Sequence, residues 1–222
     1  MSQELWTAVD DYLVENLVPS DDALDAALRA SDEAKLRAIQ VAPNQGKLLA
    51  ILAQSIGARS ILEIGTLGGY STIWLARALP PDGKLITLEI DPKHAAVAEK
   101  NIAYAGLSEV IDIRLGRALE TLPKIAEEGH TFDLVFIDAD KASTTEYFQW
   151  ALKLTRPGSL IIVDNIVRSG AVSDPNSTDD NVQGIQRFMA SVKDEMRVSI
   201  TGLQTVGSKG YDGFVIALVR GD

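Results

Sequence analysis

With 222 residues, 46% of them hydrophobic and 23% charged, the chain has the composition of a soluble globular protein and enough length for one α/β domain with a generous core. A formal net charge of -10 sets its surface against phosphate backbones, so nucleic acid is not an expected partner. The absence of cysteine excludes a disulfide, a thiolate nucleophile and Cys-ligated zinc; no basic-then-apolar leader opens the sequence and no apolar run is long enough to cross a bilayer, so a cytoplasmic protein without a membrane partner is expected.

In chain order, Leu5, Val9, Tyr12, Leu13 and Leu17 recur near helical spacing, and Pro19, Ser20 and Asp21 end that run. Leu24, Ala27 and Leu28 begin a second helix capped by Ser20 or Asp21; Pro43 opens a third that carries Leu48, Leu49, Leu52 and Ile56 on one side. From residue 60 the pattern becomes strand, loop and helix in repetition. Strands are predicted at residues 60–64, 84–89, 110–115, 132–138 and 159–164, and helices at 71–79, 92–105, 118–128 and 143–154. That alternation specifies an α/β fold, a doubly wound and mostly parallel sheet with helices on both faces. The runs from Ile61 to Ile64 and from Leu134 to Ile137 are almost wholly apolar, as strands covered on both faces should be. Near the end the alternation stops. Residues 197–201 and 213–219 both read as strands with no helix between them, so an antiparallel hairpin should complete a seven-stranded sheet. Residues 166–180 form a largely polar segment with Gly170 and Pro175, long enough for a mobile lid. One domain is expected, with residues 1–58 a helical addition and residues 59–222 the α/β core.

The stretch from Leu62 through Glu63, Gly65, Thr66, Gly68 and Gly69 to Ser71 runs from a buried strand through a glycine-rich turn into a helix. Glycine lets the backbone approach a ligand, and a helix N-terminus offers free N–H groups. A dinucleotide fingerprint would need glycine at position 67, where Leu67 stands, which makes a dehydrogenase the weakest reading. Glu63 at the strand end suits a ligand bearing an ammonium group, such as the amino-acid end of S-adenosylmethionine. The next strand ends in Glu89, placed to accept the ribose hydroxyls of an adenosine. Either motif alone fits a tight loop or a solvated strand end; both in this order favour nucleoside binding.

Two further strands end in acids. Asp138 follows the fourth, and Asp164 with Asn165 follows the fifth. In doubly wound sheets ligands bind beyond the carboxyl ends of the strands, so these oxygens should converge on one rim. Oxygen donors without His or Cys select a hard cation, Mg²⁺ or otherwise Mn²⁺ or Ca²⁺. An Asp after a strand is also the ordinary N-cap of the next helix, and for Asp138 alone that is the simpler reading. The Asp164-Asn165 pair shifts the balance toward a metal. Lys141 is either a solvated surface lysine or, beside a divalent cation, a general base. Asp140 reads as capping, and nothing singles out His94 or His130 for catalysis.

Residues 61–74, 87–101, 132–141 and 162–168 resemble, in order and spacing, the cation-dependent O-methyltransferases of the catechol and caffeoyl-CoA type, bacterial branch, and the resemblance spans about residues 35–220. It implies the Rossmann-like class I S-adenosylmethionine methyltransferase fold, with N-terminal helices and a C-terminal antiparallel hairpin. It implies S-adenosyl-L-methionine and Mg²⁺ as cofactors, with Asp138, Asp164 and Asn165 as metal ligands and Lys141, with Asp138, at the catalytic centre. Glu63, Gly65, Thr66 and Ser71 correspond to contacts with the methionine end, Glu89 to the ribose clamp, Ala118 to the adenine pocket, Val41 to a backbone contact, and Asp138 to a cofactor contact as well. A small dihydroxy aromatic acceptor and a homodimer are likewise implied. Three positions depart from the family: Ile39 replaces a common Met, Ser143-Thr144 replaces Asn-Tyr, and Arg117 stands where an acid is frequent. Lipid, flavonoid, phenolic-CoA and small catechol acceptors stay open. The rival readings are a metal-free methyltransferase of the same fold and a cofactor-binding protein without turnover.

Overall fold

The sheet of the computed structural model, which describes residues 2–19 and 21–221, has the strand order β3-β2-β1-β4-β5-β7-β6. The strands are β1 (Ser60–Ile64), β2 (Lys84–Glu89), β3 (Ile111–Leu115), β4 (Phe132–Ile137), β5 (Thr155–Asp164), β6 (Val198–Gly207) and β7 (Gly210–Val219). β1 to β5 are parallel; β7 runs antiparallel between β5 and β6. The doubly wound sheet and its terminal hairpin are therefore present as expected, and chain order reverses between β1 and β4. The hairpin strands are longer than the sequence suggests. Gly207 pairs with Gly210 across a turn at Ser208 and Lys209, so pairing runs nearly to its tip.

Side chains alternate faces along each central strand. Leu62, Ile64, Val135, Ile137, Ile161 and Val163 point into one core, where α6 (Ala118–Glu127), α7 (Thr144–Lys153) and α8 (Asp180–Val192) cover them. Ile61, Leu134, Phe136, Leu160 and Ile162 point into the other, covered by α2 (Asp22–Glu33), α3 (Pro43–Ser55), α4 (Tyr70–Arg77) and α5 (Pro92–Tyr104). This period-2 division explains the nearly unbroken apolar strands: both faces are interior. The helical layer at the start continues the second face, since α3 packs on α4 and α2 on α5.

α1 (Gln3–Leu17) forms where its periodicity places it, but Leu5, Val9, Tyr12, Leu13 and Leu17 face outward, and the buried residue of the helix is Asp10. α2 is capped by Asp21, whose Oδ1 accepts from the amides of Ala23 and Leu24 at 3.0 Å each; Ser20, the alternative cap, lies outside the described residues. The segment 166–180 is not wholly loop. It contains a 3-10 turn at Arg168–Ser173, and its last residue begins α8, which the sequence reading leaves undrawn. Val182, Ile185, Phe188 and Val192 give α8 its buried stripe, and Asp179 caps it. The remaining helix and strand ends shift by a residue or two, apart from the earlier start of β5. Asp138 thus lies in the loop after β4 rather than at its last paired position.

Candidate active site

The carboxyl ends of β1, β2, β4 and β5 open on one cleft of ≈ 730 Å³, lined as well by Arg37, Ile39, Gln40 and Val41. That position follows from the reversal of chain order, because the loops after β1 and β4 leave toward opposite faces. The two loops are interlocked. Gly65 has φ of 103° and lies so close to the Asp138 carbonyl that a Cβ would strike it. The glycine motif and the acid after β4 thus form one surface.

At the β1 end, Glu63 is completely buried. Its Oε1 accepts from Ser71 Oγ at 2.6 Å; its Oε2 accepts from Thr72 Oγ1 at 2.5 Å and Thr87 Oγ1 at 2.7 Å. Thr66 and Thr87 share a further hydroxyl contact of 2.6 Å. Three donated hydrogen bonds favour the carboxylate, but desolvation outweighs them and pushes the carboxyl from 4.5 up to about 7, with the negative charge of Asp138 adding to the rise. Glu63 accordingly sits behind the cleft wall, while Gly65, Thr66 and Ser71 line the cleft itself.

At the β2 end, Glu89 lines the cleft and orders the loops around it. Its Oε1 accepts from the amides of Ile90 and Asp91 at 2.9 Å each, and its Oε2 from Leu67 N at 2.7 Å. A carboxylate has about four acceptor positions, so capacity remains for a ligand hydroxyl. Leu67 is held at φ of 51°, a left-handed conformation that costs a non-glycine residue energy, and the bond to Glu89 fixes it there. His94, in the first turn of α5, lies 3.5 Å from Glu89 and also lines the cleft. Val41 and Ala118 line it as well.

At the β4 and β5 ends, Lys141 Nζ donates to Asp138 Oδ1 at 2.8 Å. Lys141 is only 6% exposed, which rules out a solvated surface lysine. Asp138, Lys141 and Asn165 line the cleft, whereas Asp164 lies behind it, 5% exposed, with both oxygens engaged. Its Oδ1 accepts from Asn165 N and its Oδ2 from Gln45 Nε2, each at 2.8 Å. Burial first, then the charge of Asp138, pushes the Asp164 carboxyl up to about 7, against the opposing effect of Lys141. A buried acid raised by a neighbouring carboxylate would be stabilised in its ionised form by added positive charge, so the donor set fits a cation. Asn165 has φ of 57°, and Arg168 and Ser169 just beyond have 54° and 55°. Asp212 Oδ1 holds this bent segment by accepting from Val167 N at 2.9 Å and Arg168 N at 3.0 Å. Asp140 caps the 3-10 turn through Ser143 N at 3.0 Å, as its sequence position suggests, and also accepts from Tyr147 Oη at 2.5 Å.

Sequence reasoning missed Gln45, His94, Tyr147, Arg168 and Asn181. Three left a signal: His94 lies within two turns of Glu89, Tyr147 falls on the helix after Lys141, and Arg168 follows Asp164-Asn165 directly.

A family profile described as O-methyltransferase matches residues 17–218. A catechol O-methyltransferase from Niastella koreensis is 55% identical over 221 residues, covering 99% of this chain and 100% of that protein. An O-methyltransferase from Bacillus cereus, solved in complex with SAH, superposes with a TM-score of 0.97 at 53% identity, covering 99% and 100% of the two chains. Another from Streptomyces achromogenes, solved in complex with SAM, gives a TM-score of 0.96 at 50% identity over 100% of both. With agreement over nearly the whole length in sequence and fold, the chain belongs to the O-methyltransferase family.

Proposed function

We propose that the chain transfers the methyl group of S-adenosylmethionine to one hydroxyl of a catechol-like acceptor, with a divalent cation of the Mg²⁺, Mn²⁺ or Ca²⁺ type held by Asp138, Asp164 and Asn165. The observation that carries this reading is the arrangement beyond β4 and β5: the buried Asp164 carboxyl close enough to Asp138 to be raised by its charge, a buried lysine bonded to Asp138, and the Asn165 side chain beside Asp164. When bound, the cation supplies Lewis acidity to an acceptor hydroxyl, and the cofactor supplies an electrophilic methyl group.

Every other part belongs to the chain. Gly65, Thr66, Ser71 and the backbone at Val41 receive the methionine end, with the Glu63 carboxyl behind Ser71. Glu89 takes the ribose hydroxyls, and Ala118 lies against the adenine. Asp138 touches both halves of the cleft because its carbonyl lies against Gly65 while its carboxylate faces Lys141. With its side chain in the neutral amine form, Lys141 takes the proton from the acceptor hydroxyl, and the ammonium so formed is held by Asp138 Oδ1. The cleft walls keep the acceptor oxygen and the methyl in near-attack geometry, worth ~7–11 kcal/mol in favourable systems. In this reading the protein works as a homodimer, and the outward stripe of Leu5, Val9, Tyr12, Leu13 and Leu17 on α1 supplies apolar surface for a second copy.

One observation favours the metal-free alternative: among the described residues no cluster of three or more His, Cys, Asp or Glu side chains could hold an ion, so the metal reading relies on the Asn165 amide. Methylation of a catechol with labelled cofactor, before and after EDTA treatment with metal removal verified by elemental analysis, separates the two. Loss of turnover restored by Mg²⁺ is expected; undiminished turnover favours the alternative.

A further inference from the structure

Asp164 is a candidate ligand that faces away from open solvent, and the partner of its Oδ2 comes from far along the chain. Gln45 Nε2 reaches it at 2.8 Å across 119 residues of sequence. Gln45 does not line the cleft. It sits in the first turn of α3, and that turn is fixed from behind. Gln45 N donates to Asn44 Oδ1 at 2.8 Å, Asn44 Nδ2 donates to Asp10 Oδ1 at 2.9 Å, and Asp10 Oδ2 accepts from Ser208 N at 2.7 Å. Asp10 is the buried residue of α1, and Ser208 lies in the β6–β7 turn. A continuous line of hydrogen bonds therefore runs from the hairpin tip, through α1 and α3, to one carboxylate oxygen beyond β5.

We infer that Gln45 is a positioning residue for the metal site, holding the Asp164 carboxylate in its ligating orientation through an anchor formed by Asn44, Asp10 and Ser208; the inference rests on the metal reading above. The chemistry of the donor suits this task. A neutral amide occupies one acceptor position of Oδ2 and fixes the carboxylate plane, while leaving the negative charge of Asp164 intact for a cation. A lysine or arginine there would hold the same oxygen but place positive charge beside the cation. The Asn165 backbone N–H donates to Oδ1 and fixes the other side, so neither oxygen can swing away. Partners of this kind behind ligating carboxylates typically control metal affinity by ~10–100-fold.

The test compares Mn²⁺ affinity, by electron paramagnetic resonance titration, in the wild type, Gln45→Met and Asp10→Asn. Gln45→Met keeps the length of the side chain and removes the donor. Asp10→Asn acts at the far end of the line and keeps the shape. Gln45→Met should weaken Mn²⁺ binding by ~10–100-fold, and Asp10→Asn should weaken it by less. S-adenosylmethionine affinity by calorimetry should stay within about twofold in both, because neither side chain lines the cleft. Saturating Mn²⁺ should return the turnover of Gln45→Met toward the wild-type rate, which a merely structural defect would not allow. Unchanged Mn²⁺ affinity in Gln45→Met overturns the inference, as does parallel loss of cofactor binding and thermal stability. A wild-type protein that binds no Mn²⁺ refutes the metal reading itself, and the role of Gln45 falls with it.

Discussion

Replacing Glu63 by Gln should make the ligand-free protein more stable at high pH and less able to bind its cofactor. The carboxyl is completely buried, and its proton is held from 4.5 up to about 7. A group whose folded-state value is raised contributes its full stability below the unfolded value. That contribution is lost as pH rises through the folded value, so the window here is roughly pH 4.5 to 7. Above it, ionisation in the folded state costs about 3 kcal/mol, taken from the difference between 4.5 and about 7. Glu63→Gln removes that cost, and the hydroxyls of Ser71, Thr72 and Thr87 can rotate to serve an amide. At pH 8.5 the variant should melt roughly 6–12 °C above the wild type, and the gap should close by pH 4.5. Asp164 titrates in the same window, so the variant keeps part of the wild-type slope. The assay is thermal unfolding in EDTA, without cofactor, across this pH range, followed by calorimetric titration with S-adenosylmethionine at pH 8. Losing the acceptor and the negative charge behind Ser71 should weaken binding by roughly tenfold, acting through the Ser71 hydroxyl rather than by direct contact. A gap in melting temperature that does not change with pH, or a variant less stable at pH 8.5, would refute the argument that desolvation outweighs the three hydrogen bonds.

Three further outcomes are expected. Glu89→Gln should weaken S-adenosylmethionine binding by about tenfold and Glu89→Ala by more, since Ala also frees Leu67 N; equal calorimetric affinity in a folded variant would remove the ribose role. Lys141→Met should lower kcat by ~10²–10⁴ for catechols of high hydroxyl pKa and by less for acidic ones; a uniform loss across an acceptor series would show that the lysine is not the base. Asp212→Ala should raise hydrogen exchange across residues 166–173, because Val167 N and Arg168 N lose their acceptor, and should raise KM for the acceptor more than for the cofactor; exchange equal to wild type would count against Asp212 as the anchor.

What could be read from the sequence was whatever is local. The succession of strands and helices and the final hairpin follow from their periods, and the acids at positions 89, 138 and 164 stand where apolar runs end. Orientation was less legible. Glu63 and Asp164 are at the right strand ends, yet both sit behind the cleft wall, because a residue near the end of a pleated strand points to whichever face the register selects. α8 escaped because its first turn is polar and Gly184 interrupts it. That glycine is required by packing, since a Cβ would strike the carbonyl of Lys141, and a tertiary contact of this kind has no local signature. The outward stripe of α1 carries the opposite lesson. Its periodicity identifies a helix but does not say what the apolar side touches. Gln45 was beyond reach altogether, as nothing near position 45 refers to position 164.

The left-handed residues around the cleft bear on how this protein can be engineered. Of the five non-glycine residues with positive φ among the described residues, Leu67, Asn165, Arg168 and Ser169 belong to the loops that build the cleft, and only Lys35 does not. Each such conformation costs a side chain roughly 1–2 kcal/mol, less for Asn. Glycine substitutions at Leu67, Arg168 or Ser169 are therefore where a stability screen would find ready gains, and a screen scored by melting temperature alone would select them. The same changes would let the amide over Glu89 and the turn after Asn165 wander, so the thermostable variants collected this way should turn over more slowly. A durable form of this enzyme is better sought along the exposed edge of β6, where no backbone is bent on behalf of a ligand.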